Sequence, residues 1–237
     1  MIINTTRRSN KAEIMDDFSM EGEILRDALD KIANINQLLG GNKVTLQGVK
    51  LLTKDLDAGK VLTIADFGCG NGDMLRMLAD FGRKQGLKMK LIGIDANDFT
   101  VHYARSLSTA YENISYQCSD IFSEHSPENE YDIILCTLTL HHFSDQDIEQ
   151  LISGSLSKAK IGFVVNDLHR SSIAYYLFKA LCLVFGLNEM SEKDGLISIL
   201  RGFKKEDLER FSKKFRFKNY SIKWKWAFRY QWIVKTV

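Results

Sequence analysis

Apolar and polar positions follow two rhythms along this chain. Between residues 12 and 39 apolar side chains recur every three to four positions, which reads as one or two helices. Leu25, Ala28, Leu29, Ile32, Ile35 and Leu39 share one helical face, and Gly40-Gly41 stop it. A second helix is expected over Thr45–Leu56. Short apolar runs then alternate with amphipathic stretches. Strands are expected at Val61–Asp66, Lys90–Asp95, Ile114–Cys118, Tyr131–Leu138 and Gly162–Asn166, with helices at Asp73–Gly82, Phe99–Leu107 and Asp145–Leu156 between them. That alternation is the mark of a parallel sheet wrapped by helices. Residues 171–200 interrupt it with an apolar helix and a loop, and a helix at Lys204–Phe215 follows. The end, Tyr220–Val237, reads as a hairpin turning near Ala227-Phe228. The whole is an α/β, doubly wound sheet with an antiparallel edge.

Composition adds less than the distribution of charge. The chain has 237 residues, 45% of them apolar, enough for a substantial core without disulfide or metal staples, and its net charge is +2. From Arg201 onward there are twelve Lys or Arg against three Asp or Glu, interleaved with aromatics as on a nucleic-acid surface. Yet Trp224, Trp226, Phe228, Tyr230 and Trp232 share one parity, with Lys223, Lys225 and Arg229 on the other. Period-two alternation suits a half-buried hairpin, so no nucleic-acid partner is expected. Cys69, Cys118, Cys136 and Cys182 show no CxxC spacing and read as reduced thiols. The first twelve residues lack an apolar run of signal-peptide length, and the most apolar run, Ile173–Leu187, contains Lys179 and is too short to cross a bilayer. A cytoplasmic protein without a transmembrane segment is expected.

The strongest chemical signal is VLTIADFGCGNGDML. A strand ends in Asp66, and Gly68, Gly70 and Gly72 open a helix near Asp73. Glycine permits positive φ and a close ligand approach, and the helix start offers unpaired N–H groups. A dinucleotide loop reads GxGxxG and receives a pyrophosphate. Here the spacing is D-x-G-x-G-x-G, and the acid before the first glycine repels a pyrophosphate but suits a cationic amino group. A second acid, Asp95 in LIGID, ends the next strand and can accept from ribose hydroxyls, with Ala96 beside it. Asp120 and Ile121 follow the third strand, where an adenine amine and ring would be met.

With these residues the chain resembles the class I S-adenosylmethionine-dependent methyltransferases over roughly residues 45–237. Asp66, Gly68, Gly70 and Gly72 match the family's first motif, Asp95 its ribose acid, Asp120 and Ile121 its adenine position, and Thr137–Leu140 the wall beside the methionine. The resemblance implies S-adenosylmethionine as cofactor and a Rossmann-like seven-stranded sheet. Ahead of it the helical residues 1–44 read as an N-terminal cap, and the apolar interruption at 171–200 reads as a helical lid insertion. RRSNKAEIMDD, LDKIANINQLLGG, DLHRS and DGLISILRGF are similar to bacterial small-molecule methyltransferases of polyketide, phenolic-lipid or quinone pathways.

Methyl transfer from a sulfonium mainly requires alignment, and a hydroxyl acceptor also needs a base, most often His. His142 and His169 are the candidate bases, because both follow carboxyl ends of parallel strands. His141 reads as a packing or acceptor-side histidine, and His102 and His125 as surface groups. SIAYYLFKALCLVFGL is apolar nearly all round, which implies burial, either as an extra core helix or as a roof over an apolar acceptor. Tyr175 and Tyr176 would then stack on the acceptor, and Arg201 would anchor an acidic group or cap a helix. Asp167 with Asn166 is similar to the acidic pair of metal-dependent catechol methyltransferases. Thr137 stands where a third ligand is required, so no metal is expected. A D/N-P-P-Y motif of base-amine methyltransferases is absent: the chain reads CTLTLHHF there. The reading is a small, apolar or aromatic acceptor, methylated on oxygen; the alternatives are an RNA- or protein-directed enzyme and a non-catalytic cofactor-binding module.

Overall fold

A computed structural model describes residues 3–56, 59–122, 131–154 and 156–236. Helices α1 (Glu23–Leu38) and α2 (Gly41–Thr53) precede the alternating part. Gly40 takes the left-handed conformation, φ 74°, and turns the chain sharply between them. The division expected between residues 44 and 45 falls inside α2. That helix lies flat on the sheet, since a Cβ on Gly48 would sit 2.5 Å from Val164 Cγ1.

Strands β1 (Leu62–Phe67), β2 (Met89–Asp95), β3 (Ile114–Cys118), β4 (Ile133–Thr137) and β5 (Gly162–Leu168) are parallel. Helices α3 (Asp73–Gln85), α4 (Asp98–Leu107) and α5 (Asp145–Gly154) connect them. After α6 (Ser172–Phe185), α7 (Glu189–Arg201) and α8 (Lys205–Lys214), the antiparallel strands β6 (Asn219–Lys225) and β7 (Arg229–Lys235) complete a seven-stranded sheet of order β3-β2-β1-β4-β5-β7-β6. The order reverses between β1 and β4, which opens a crevice at their carboxyl ends. Alternate side chains of β5 feed the two faces: Phe163 and Val165 join Leu151, Phe211 and Trp232, whereas Val164 joins Val49, Leu75 and Leu78.

Four expectations are corrected. Residues 17–22 are non-helical, and only Ile14–Asp16 form a short 3₁₀ turn ahead of α1. The loop expected before residue 200 is the helix α7. Helix α6 is not buried: Ala174 and Cys182 face inward, but Ile173, Leu183 and Val184 are 63%, 82% and 80% exposed. It packs against α7 at the rim of the sheet, so only one side has protein to cover it. Likewise Trp232 is fully buried on β7, while Trp224 on the edge strand β6 and Trp226 in the turn after it are exposed. His125 lies outside the described residues. Among the described residues no helix is long and apolar enough to cross a membrane.

Candidate active site

The glycine loop joins β1 to α3, and all three glycines have positive φ: 69° at Gly68, 51° at Gly70 and 77° at Gly72. They are not equivalent. A Cβ on Gly68 would strike Thr139 at 2.4 Å, and one on Gly72 would strike the Tyr116 hydroxyl at 2.0 Å. Those two glycines make room for the protein's own side chains. At Gly70 the nearest atom is 3.8 Å away, so that position alone in the loop faces open space. Its N–H donates to Asp95 Oδ2 at 3.1 Å, and Asn97 N–H donates to Oδ1 at 3.1 Å. Asp95 thus ties the loop to the tip of β2.

Asp66 is 1% exposed, and its Oδ1 is buried without a hydrogen-bond partner. Burial, reinforced by the charges of Asp73 and Asp95, pushes its carboxyl well above the usual range. Burial also raises Asp95, against the N–H donors of Asn97 and Gly70. An unanswered buried carboxyl beside an open Gly70 fits a ligand that brings a cationic amino group. Asp66, Gly68, Gly70, Asp95, Ala96, Asp120, Ile121 and Thr137 all line one cavity of about 720 Å³; Gly72 shapes the turn without lining it. Asp120 Oδ1 accepts from Phe122 N–H at 2.9 Å, and the hydroxyls of Thr137 and Thr45 are 2.9 Å apart.

The cavity continues beyond the loop between α1, α6, α7 and the β6–β7 turn, where His141, His142 and His169 line it. Asp167, fully buried at the end of β5, bonds Nδ1 of His141 at 2.7 Å. Burial would raise that carboxyl, but the charge and hydrogen bond of His141 hold it below the usual range. Nδ1 of His142 lies 2.6 Å from Asp16 Oδ1. Partial burial pushes Asp16 up, and hydrogen bonds from His142, the Glu13 N–H and Arg201 more than reverse this, leaving a strongly acidic carboxyl. Glu13 is raised chiefly by burial, opposed by His142, Ser198 and Arg201. His169 is lowered by burial and by the charges of Lys204 and Arg170. Its Nδ1 accepts from Trp224 Nε1 at 3.3 Å.

Other candidates sit elsewhere. Tyr175 and Tyr176 do not line the cavity; they pack edge to face on α6, with Tyr176 half-exposed. Arg201 does not line it either. Its guanidinium donates to the carbonyls of His141, His142 and Lys11 and to Asp16 Oδ2, so it fastens the N-terminal segment rather than awaiting a ligand. Glu13, His141 and His142 have metal-ligand spacing, with donor atoms within 4.8 Å of one another. Asp16 already engages His142 Nδ1, and the Arg201 cation lies 3.7 Å from Glu13 Oε1, so positive charge is supplied there without an ion. Glu13, Asp16, Asn97 and Arg229 were invisible as site residues in the sequence. Of these only Asn97 carries a local signal, as a helix N-cap that accepts from Thr100 N–H.

Residues 64–162 match the model of the methyltransferase domain family (Methyltransf_25). Solved structures of similar fold include the plantazolicin methyltransferase BpumL in complex with SAH, at 18% identity and TM-score 0.64, covering 90% of this chain and 88% of that one. Another is the magnesium protoporphyrin IX methyltransferase ChlM from Synechocystis PCC 6803 with bound SAM, at 16% identity and TM-score 0.55, covering 93% and 88%. A third is the CurJ carbon methyltransferase, at 15% and 0.60, covering 82% and 54%. No curated protein sequence matches the chain. Residues 64–162 thus carry a methyltransferase domain, and the chain has the fold of methyltransferases solved with SAH or SAM.

Proposed function

We propose that this enzyme methylates a hydroxyl of a small, largely apolar acceptor, with His142 as the general base. The observation that carries the reading is the His142–Asp16 pair on the wall of the cavity that the glycine loop also lines. Asp16 stays ionised and accepts from Nδ1–H, which leaves Nε2 as the basic nitrogen. The arrangement is the one by which a carboxylate fixes the tautomer of a catalytic histidine. S-adenosylmethionine, when bound, supplies an electrophilic methyl on a good leaving group. Asp66 would hold its amino group, and Asp95 with Asp120 its nucleoside. The chain's remaining task is to align the acceptor oxygen and receive its proton.

His169 takes a different part in this reading. An indole N–H donated to Nδ1 requires the neutral ring to carry its proton on Nε2. That makes Nε2 a donor, suited to orienting an acceptor oxygen and not to deprotonating it. Its lowered pKa keeps the ring neutral near pH 7. The apolar walls, Leu29, Ile32, Phe178 and Leu181, favour an aromatic or aliphatic body.

Incubation with methyl-labelled cofactor and panels of phenols, quinols and hydroxylated fatty acids tests the proposal. Label in an ether oxygen of one acceptor supports it, and label in a methyl ester counts against it. Label on carbon, on RNA or on protein, or cofactor binding with no transfer, overturns it.

A further inference from the structure

Among the described residues four arginines are largely withdrawn from solvent, and three are fully answered. Arg8 donates to Asp145 and to the carbonyls of Arg201, His141 and Phe143. Arg170 donates to Asp207 and the carbonyls of Thr5, Thr6 and Gly202. Arg201 has the four acceptors described above. Arg229 differs. It is 3% exposed, and its Nε and Nη1 are buried without a hydrogen-bond partner. Asp167 is the charge that acts on it, but His141 and the Leu168 N–H already hold that carboxylate. Burial lowers the Arg229 pKa to about 10, so the guanidinium remains charged at neutral pH.

A buried, unanswered guanidinium is strongly unfavourable, and a fold that satisfies three others so completely leaves this one bare at an informative place. Arg229 opens β7 opposite Leu168 at the end of β5, and it lines the cavity. Asn36 stands beside it: a Cβ on Gly41 would lie 1.8 Å from Asn36 Oδ1 and 2.9 Å from Arg229 Cζ, so glycine at 41 clears the space for both. Much of the surrounding wall is apolar, including Leu39, Phe178, Leu181 and Phe228.

We infer that Arg229 anchors an anion subsite for the acceptor's carboxylate, so that the acceptor is a hydroxylated carboxylic acid with an apolar body. The inference rests on the reading of the cavity as an acceptor site and narrows its substrate class. A planar guanidinium fork matches a carboxylate in shape and charge. The cofactor's own carboxylate is the other source of that chemistry, and the sheet order argues against it. Strands β4 and β5 separate β7 from β1, which carries Asp66, placing the two strands about 14 Å apart. The anchored carboxylate is unchanged by the reaction: the proton leaves a separate hydroxyl for His142, that oxygen bonds the methyl as the sulfur–methyl bond breaks, and S-adenosylhomocysteine would leave with the electron pair on sulfur.

The test uses the full chain saturated with S-adenosylhomocysteine and titrated with salicylate and 12-hydroxydodecanoate, each against its neutral amide. The native chain should prefer each acid by about tenfold or more, Arg229→Met should lose that preference, and Arg229→Lys should keep part of it. Arg229→Met should bind S-adenosylhomocysteine within about twofold of the native chain, and without ligand it should melt higher, because the unanswered charge is gone. Equal binding of acid and amide to the native chain overturns the inference. A drop of about tenfold in S-adenosylhomocysteine affinity in Arg229→Met would assign the subsite to the cofactor and overturn it as well. The two readings fail differently. Acids that bind through Arg229 but are never methylated sink the acceptor reading and leave the anion subsite. Methylation of neutral hydroxyls with no acid preference sinks the subsite alone.

Discussion

Nδ1 of His142 and Oδ1 of Asp16 lie 2.6 Å apart although 126 residues separate them in sequence. The contact is held from outside by Arg201, which donates both to Asp16 and to the carbonyl of His142. The N-terminal segment is bound to the enzyme at further points. Ile14 and Met15 donate their N–H groups to Asp194 on α7, and Asn97 donates to the carbonyls of Phe18 and Met20. One strap therefore runs from α7 to the residues beside Asp95, passing the proposed base.

His142→Ala should lower kcat by about 100-fold or more, and Asp16→Asn by about tenfold, with S-adenosylhomocysteine affinity nearly unchanged in calorimetry. Full activity in His142→Ala would remove the base role.

Asp66 gives a prediction with two signs. Its folded pKa lies above the unfolded value, so the folded chain binds more protons and loses stability as pH rises from about 4 through the raised pKa. Ligand-free Asp66→Asn should therefore melt a few degrees higher than the native chain at pH 7. The same substitution should abolish measurable S-adenosylhomocysteine binding. In the native chain that affinity should rise with pH through the same window, with proton release detected in buffers of different ionisation enthalpy.

The glycines separate folding from binding. Gly72→Ala, driven into Tyr116, should destabilise the chain by about 2 kcal/mol or more in urea unfolding. Gly70→Ala has room and should cost about 1 kcal/mol of backbone strain. Its main effect should be on the dissociation constant for S-adenosylhomocysteine, because its Cβ enters the cavity.

Asp95→Ala should weaken S-adenosylhomocysteine binding by about 1–3 kcal/mol. Part of that loss comes through the freed Gly70 N–H. An unchanged dissociation constant would show that the tip of β2 has no role in holding the cofactor.

Arg201→Met leaves three backbone carbonyls and Asp16 without their donor, and should lower unfolding stability by about 3 kcal/mol. Tyr176→Ala lies away from the cavity and should leave the acceptor KM within about twofold.

The sheet and the glycine-loop wall of the cavity were legible in the sequence. Five of the strands show as short apolar runs, and D-x-G-x-G-x-G with LIGID marks two strand ends that line the cavity, because both signals are local. The N-cap Asn97 and the break at Gly40 are local in the same sense. Side-chain burial on α6 was not legible there, because a helix apolar all round does not say which side meets protein.

Sequence by itself determined which segments form strands and helices and which loop presents a carboxylate beside glycine, since periodicity and backbone sterics act over a few residues. Only the tertiary structure decided that Asp16 orients His142, that Asp167 takes His141, that Arg201 is spent on internal carbonyls and that Arg229 is not. Those outcomes depend on which acceptors reach each buried charge across distant parts of the chain, and desolvation makes each such pairing decisive.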